Sequence, residues 1–434
     1  MLEPHGKLTP SARDSRLRAV AIEAIGNPIM GRLAIMTQLA SESGVRAADA
    51  PRTERNVAFD YLRSFGVLLV LLHHAALAYV TFGFLNPYDF MQTFSPVVDG
   101  LKWVGFDRIV LVNDTFFMPL LFFVSGLFVW TGLQKRGVFR FLGARFLRLG
   151  LPFIVGLLLI IPVAYYPTVL ENGLVFEIPV QGFGAFWLDY IRGGLNPPGP
   201  LWFVWLLLSF DLLVALWYGF LRMTGLKSTR TSSPLLDNPL LFAATLVGLS
   251  FAAYLPMRIA FAPGQWGGTG PLWLEIVRAF WYLLYFGMGV AVGARGLNRG
   301  AFRSDGPFAR YWWAWLLAGA GSYGFLTWIF SSPDLASKWG MYVFLVEAAL
   351  VVLGLTALFL RMFRKPIRVL DNLSRCSYGM YLLHYLVIIW LQYAVLRTSL
   401  PVGAKFAIVF VDGVALCWGS TAALRRIRAV RKII

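Results

Sequence analysis

Past residue 55 the chain alternates long apolar runs with short, arginine-rich polar breaks. The runs fall at about 64–82, 115–133, 149–166, 201–221, 239–256, 279–294, 311–330, 341–360, 378–396 and 403–424. Each is close to the length needed to cross a bilayer core as a helix, so ten transmembrane helices are predicted. Several contain Gly or Pro, which membrane helices tolerate. No internal repeat aligns, which weighs against a transporter built from inverted halves. Residues 1–54 are different, with mixed charge, Ser, Ala and Pro, and with Arg32 interrupting the apolar stretch from Ile29 to Met36. With no unbroken apolar run before a small-residue cleavage site, a cleaved signal peptide is not expected. The expected organisation is a mobile N-terminal tail or weak amphipathic helix over 1–54, a membrane domain over 55–424 and a basic tail over 425–434. Met30 and Met36 are alternative starts.

Composition supports this pattern. The 434 residues are 58% hydrophobic and 14% charged, and the mean hydropathy is +0.65. These values indicate an all-α polytopic membrane protein. A net charge of +17 raises nucleic acid as a partner, but the basic residues form short clusters between apolar runs and build no basic domain. Membrane orientation explains the charge instead. With the N-terminus inside, the opposite side holds only Lys102, Arg108, Arg192, Arg258, Arg278, Lys338, Arg397 and Lys405 of the 39 Lys and Arg. The positive-inside rule then places both termini in the cytoplasm and requires an even number of crossings. The two cysteines, Cys376 and Cys417, form no disulfide framework and have no metal-ligand spacing. No metal is expected.

The first run carries the chemistry. It holds Asp60, Arg63 and two adjacent histidines, His73 and His74, which are half of the four in the chain. Ionisable groups at bilayer depth are costly and therefore functional candidates. Arg63 and His74 are eleven positions apart, which on a helix returns them to nearly one face, about 16 Å apart along the axis. The two side chains are expected to face one groove, with His73 turned about 100° away. That separation is comparable to an extended pantetheine arm, so phosphates of a coenzyme A thioester would pair with Arg63 while the thioester lies beside His74. A neutral His there is able to take a proton from a sugar hydroxyl as it attacks the thioester carbonyl. Asp60, one turn before Arg63, would steady its guanidinium. The plainer reading is that Arg63 snorkels to the headgroups and His74 bonds across a helix interface.

Arg63, ten residues and then His74 resemble the R-x10-H signature of the membrane-bound acyltransferase family 3, within its LD-x-LR opening, here FDYLR from Phe59 to Arg63. Leu121–Phe128, LFFVSGLF, is similar to the family's FF-x-x-SG block with one residue fewer before Ser125. RFLRLGLPF from Arg145, LWFV from Leu201 and SYGMYLLH from Ser377 resemble its R-x-x-R, W-F-L and S-Y-G-x-Y-L-x-H blocks, in family order. The resemblance implies a ten-helix enzyme of the bacterial inner membrane. Such an enzyme takes an acyl group, acetyl or succinyl, from cytoplasmic acyl-coenzyme A, the donor substrate, with no permanently bound cofactor. It passes that group to a hydroxyl, commonly of a carbohydrate or glycan acceptor. RLGLPF followed by LWFV looks most like the glucan-succinylating, glucan biosynthesis protein C-like branch, although Val204 and the shortened SG spacing depart from it.

The other matched positions carry two readings each. Arg145 and Arg148 suit phosphates, and equally ordinary positive-inside anchoring. Ser125 with Gly126 permits close helix packing or a catalytic hydroxyl. His384, after Tyr378 and Tyr381, orients substrate or His74, or makes an interhelical hydrogen bond. Trp202 and Phe203, just after Asn196–Pro200, line an acceptor mouth or join an aromatic belt. Asp114 is the carboxylate best placed to approach the His pair from outside. Asp211 and Glu347, outside the matched blocks, each need a partner or a proton. With His73 and His74 they would form the relay of a proton-coupled exporter, the rival to an acyltransferase.

Overall fold

The computed structural model describes residues 56–87, 93–225 and 233–434. The expected N-terminal tail and its alternative starts lie outside the described residues. The principal helices are α1 (Val57–Leu77), α2 (Val104–Arg136), α3 (Val138–Phe176), α4 (Trp202–Met223) and α5 (Pro239–Ala260). They continue as α6 (Ala279–Arg295), α7 (Trp312–Phe330), α8 (Pro333–Met362), α9 (Arg368–Leu396) and α10 (Val402–Leu424). Among the described residues, nine helices are long and apolar enough to cross a membrane. The exception is α7, whose four tryptophans, Trp312, Trp313, Trp315 and Trp328, lower its hydropathy. It folds back on α8 through a two-residue turn, so the two form an antiparallel hairpin.

Several helices outrun their apolar cores. α2 begins at Val104 rather than near 115, and α3 spans 39 residues where 18 were expected. Their ends carry Asp107, Arg108, Arg140 and Arg145, which hydropathy reads as loop although the backbone stays helical. α3 contains two π turns, Phe146–Gly150 and Gly156–Ile160. Such turns insert an extra residue, re-aim the side chains beyond them and are frequent at functional sites. The region 177–275 also holds a short helix, Phe183–Arg192, and a two-stranded hairpin, β1 (Trp266–Thr269) with β2 (Leu272–Glu275). These depart locally from an all-α design.

α1 starts on Asn56, whose side chain accepts from the Ala58 amide at 3.2 Å. It packs against α2, α8, α9 and α10. Its neighbours grip its backbone directly. Asn113 of α2 donates to the Leu69 carbonyl at 2.9 Å, and Gln392 of α9 donates to the His74 carbonyl at 2.8 Å. At its start, the Tyr61 hydroxyl donates to Asp371 at 2.8 Å and accepts from the Ile367 amide at 2.8 Å, which ties α1 to the beginning of α9. α2 is the most enclosed span, with 78% of its most apolar window buried, whereas α10 has 22% and lies at the periphery.

The SG block has a packing role. α2 and α6 meet backbone to backbone through Gly126, Gly289 and Gly293. A Cβ on any of the three would overlap a carbonyl of the partner helix: Phe286, Phe123 and Leu127 respectively. Small residues four apart are what close membrane-helix approach requires. Gly293→Ala should therefore destabilise the protein by about 2–3 kcal/mol, the usual cost of overpacking. Gly321→Ala, where a Cβ meets open space, should leave it unchanged. Unfolding midpoints of the two variants in detergent check this contrast.

Candidate functional site

The helices enclose two cavities that meet inside the bundle. The first, of about 580 Å³, is lined by Asp60, Arg63, Ser125, Arg145, Arg148 and Tyr378 among others. Its walls also carry Arg136, Arg375, Arg425, Arg431 and Lys432, so eight cationic side chains face one acidic side chain, Asp60. The described start of the chain and its last ten residues thus lie at the same end of the bundle. The second cavity, of about 970 Å³, is lined by His73, His74, Asp114, Trp202, Arg278 and Tyr385 among others. Phe203 and Tyr381 line both. Their rings meet edge to face at 5.6 Å. The single groove expected along α1 is therefore two cavities, with Arg63 in one and His74 in the other, separated by an aromatic septum.

Each wall follows from local structure. Tyr381 is fixed by donating its hydroxyl to the Pro200 carbonyl. The loop that carries Pro200 is held by the Tyr190 hydroxyl, which reaches the Leu195 and Pro197 carbonyls at 3.2 Å. Gly199, at φ +53°, brings that loop against Tyr385, where a Cβ would crowd the ring at 3.1 Å. Across the septum, Tyr378 donates its hydroxyl to the Arg148 carbonyl inside the first π turn of α3. α9 thus presents Tyr378 to the basic cavity, Tyr381 to the septum and Tyr385 to the histidine cavity, at the three-to-four-residue spacing of one helix face.

Both histidines of α1 line the second cavity, which extends far enough toward α2 to take His73 as well. His73 stacks on Phe117 of α2 with ring centroids 5.0 Å apart. His74 turns toward α9, 5.0 Å from the His384 ring and 5.2 Å from Tyr385. The Nδ1 atoms of His73 and His74 are closed to solvent and have no hydrogen-bond partner among the described residues. For His74, Nε2 is not closed off in this way. His384 is fully buried and lines neither cavity. Its Nδ1 lies 2.5 Å from the Tyr381 carbonyl, so Nδ1 carries the proton, and the unpartnered Nε2 holds the lone pair.

The charged candidates separate by partner. Asp60 lies 3.9 Å from Arg63, a loose i,i+3 contact. Arg145 pairs with fully buried Asp211 at 3.1 Å, so the partner that Asp211 required is supplied from α3. Asp114 lines the histidine cavity and is held by Arg278 at 2.7 Å; Arg278 in turn contacts Glu275 at 3.0 Å. Burial pushes the Glu275 carboxyl above the ordinary carboxylate range, against the pull of Arg278. Glu347 is buried in α8 and lines neither cavity. Trp202 stacks on Tyr282 at 5.7 Å in the histidine cavity.

Sequence reasoning missed Arg278, Tyr385, Glu275 and the cations of the C-terminal segment. Arg278 had a signal, being one of few cations on the sparsely charged side and three residues after a glutamate. Tyr385 and the C-terminal cations had none beyond abundance. No group of three or more His, Cys, Asp or Glu among the described residues is arranged to hold a metal ion.

The pairing of Arg145 predicts how the two arginines of the R-x-x-R block separate. Arg145→Met should cost about 3–5 kcal/mol, because it leaves the Asp211 charge buried and alone. Adding Asp211→Leu should recover most of that loss. Arg148, which is exposed to the cavity, should change stability by about 0.5 kcal/mol or less on substitution by Met. Unfolding midpoints of the four proteins in detergent measure all three expectations.

No curated protein and no solved structure matches the chain. The profile of a family described as an acyltransferase domain matches residues 56–422, all but the tail and the last dozen residues. A bundle of membrane-spanning helices around paired cavities, matched over that length, makes this protein a member of acyltransferase family 3.

Proposed function

We propose that the protein is an O-acyltransferase that works across the membrane. In this reading acyl-coenzyme A occupies the basic cavity, and a hydroxyl acceptor, a carbohydrate or glycan, enters the histidine cavity. The observation that carries the proposal is the shared septum. A cavity with eight cationic side chains and one acidic one suits a polyanionic donor. The cavity behind it carries an imidazole edge and no comparable charge excess. The thioester end of the donor passes between Phe203 and Tyr381 to reach His74. His74 Nε2 takes the proton of the acceptor hydroxyl as its oxygen attacks the thioester carbonyl; the C–S bond then breaks, and the imidazolium returns the proton to the departing thiolate. Arg63 and Arg148, with Arg145 kept in place by Asp211, hold the phosphates. His384 and Tyr385 position the His74 ring. His73 and Asp114 border the acceptor, and Asp60, Ser125 and Tyr378 support the donor cavity.

Orientation follows from the same charges. The cation-rich end faces the cytoplasm by the positive-inside rule. The described start and the C-terminal segment line one cavity, which supports an even number of crossings in this reading, with α7 counted beside the nine helices that are long and apolar enough among the described residues. The membrane is the bacterial inner membrane, the acyl group acetyl or succinyl, and the glucan-succinylating branch the nearest subgroup by RLGLPF and LWFV. The exporter reading lacks its relay: Asp211 serves Arg145, and Glu347 lines neither cavity.

His74→Ala should lower acyl transfer by at least about 100-fold while leaving the unfolding midpoint and its rise on adding acyl-coenzyme A intact. Arg148→Ala should instead raise KM for acyl-coenzyme A and shrink that rise. Assays of purified protein with acetyl- and succinyl-coenzyme A decide it; full transfer by His74→Ala would remove His74 from the mechanism.

A further inference from the structure

The β-hairpin is the part of the histidine cavity that neither the motifs nor the acyl-transfer step uses. Thr269 pairs with Leu272, leaving the two-residue turn Gly270–Pro271 with Gly270 at φ +54°. Gly at the first position is what such a tight hairpin turn demands. Directly paired residues of an antiparallel ladder point to one side, and positions two apart share that side. The register Trp266↔Glu275 and Gly268↔Trp273 therefore puts Trp266, Trp273 and Glu275 on a single face, with side-chain-free Gly268 between them. Trp266, Trp273 and Glu275 all line the histidine cavity. The hairpin is pinned in place by the Trp205 indole, which donates to the Trp273 carbonyl at 3.3 Å, and by the Ile276 amide, which donates to the Gln265 carbonyl at 3.0 Å. The edge of Trp202 meets Trp266 at 5.9 Å and an interplanar angle of 84°. Flat aromatic surfaces thus stand at right angles around a void.

The polar groups beside them are fixed. Arg278 holds Asp114 on one side and Glu275 on the other, while both oxygens of Asp107 are taken by Thr81, at 2.7 and 2.6 Å. With Arg108 as the remaining cation, the lining charges nearly cancel. A neutral polyhydroxyl ligand fits this chemistry: indole faces cover the apolar C–H face of a pyranose, and anchored carboxylates accept from its hydroxyl rim. A volume of about 970 Å³ is at the upper end for a small-molecule site and exceeds what one sugar ring fills.

We infer that the hairpin is a sugar-binding platform, in which Trp266 and Trp273 stack on non-reacting rings of a neutral oligosaccharide and Glu275 accepts from their hydroxyls. The inference rests on the acyl-transfer reading for the identity of the ligand as acceptor, while binding itself is measured separately. Full-length protein is titrated calorimetrically with a neutral glucose oligosaccharide and with glucose. Its acyl-coenzyme A turnover is followed with oligosaccharide, or with water alone, as acceptor. The oligosaccharide should bind more tightly than glucose. Trp266→Ala and Trp273→Ala should each weaken it about tenfold, and Trp266→Phe should retain binding within about threefold of the parent. KM for oligosaccharide should rise in parallel, with KM for acyl-coenzyme A and its hydrolysis by water unchanged. Equal oligosaccharide binding by the parent and both Ala variants, or no binding by the folded parent, overturns the platform. Binding lost in the Ala variants, together with a parent that turns over no acyl-coenzyme A, keeps the platform and overturns the acyl-transfer reading.

Discussion

Two polar cavities that meet inside an apolar membrane become a leak unless something apolar divides them, and here the divider is the edge-to-face contact of Phe203 with Tyr381. Its neighbours make sense as supports for that contact. The Pro200 carbonyl anchors Tyr381, Tyr190 holds the loop that offers the carbonyl, and Phe122 packs against Phe203 at 4.7 Å from the α2 side. In the proposed mechanism this pair of rings is what the acyl arm would have to separate. The chemistry proposed for His74 depends on this: an imidazole behind the septum would reach a thioester end while the phosphates stayed among the cations of the other cavity.

α1 is the wall common to both cavities, and its backbone is held accordingly. Donors from α2 and α9 reach carbonyls at Leu69, His74 and Ala75. A helix whose carbonyls are claimed from both sides resists rotation about its own axis. Such rotation is the motion that would carry Arg63 and His74 together out of their cavities.

How much of this was legible followed from periodicity. That Arg63 and His74 share a face required only the eleven-residue spacing, and Gly126 marked a place for close helix approach, whereas its partners Gly289 and Gly293 were not singled out until the packing brought α6 against α2. The septum was not legible: the matched blocks mark Phe203 and Tyr381 separately, but among 36 phenylalanines and 17 tyrosines nothing pairs these two until the packing brings α4 and α9 together. The hairpin strands WGGT and LWLE are too short to signal a strand, and the first is half glycine. The partner of Asp211 was hidden because Arg145 sits in a helical stretch that hydropathy reads as a loop.

The backbone contact between α2 and α6 carries one more consequence. Where α2 and α6 touch through glycine Cα atoms and carbonyls, no side chain lies between them to rearrange, and beside that contact Phe122 stacks on Tyr282 at 5.0 Å, so this pair is the stiffest contact bordering the septum. Phe203 and Tyr381 belong to α4 and α9, outside that pair. In the proposed mechanism, parting the rings would shift α4 or α9 against the glycine-packed pair α2 and α6, which would give the SG block a mechanical role beside its packing one.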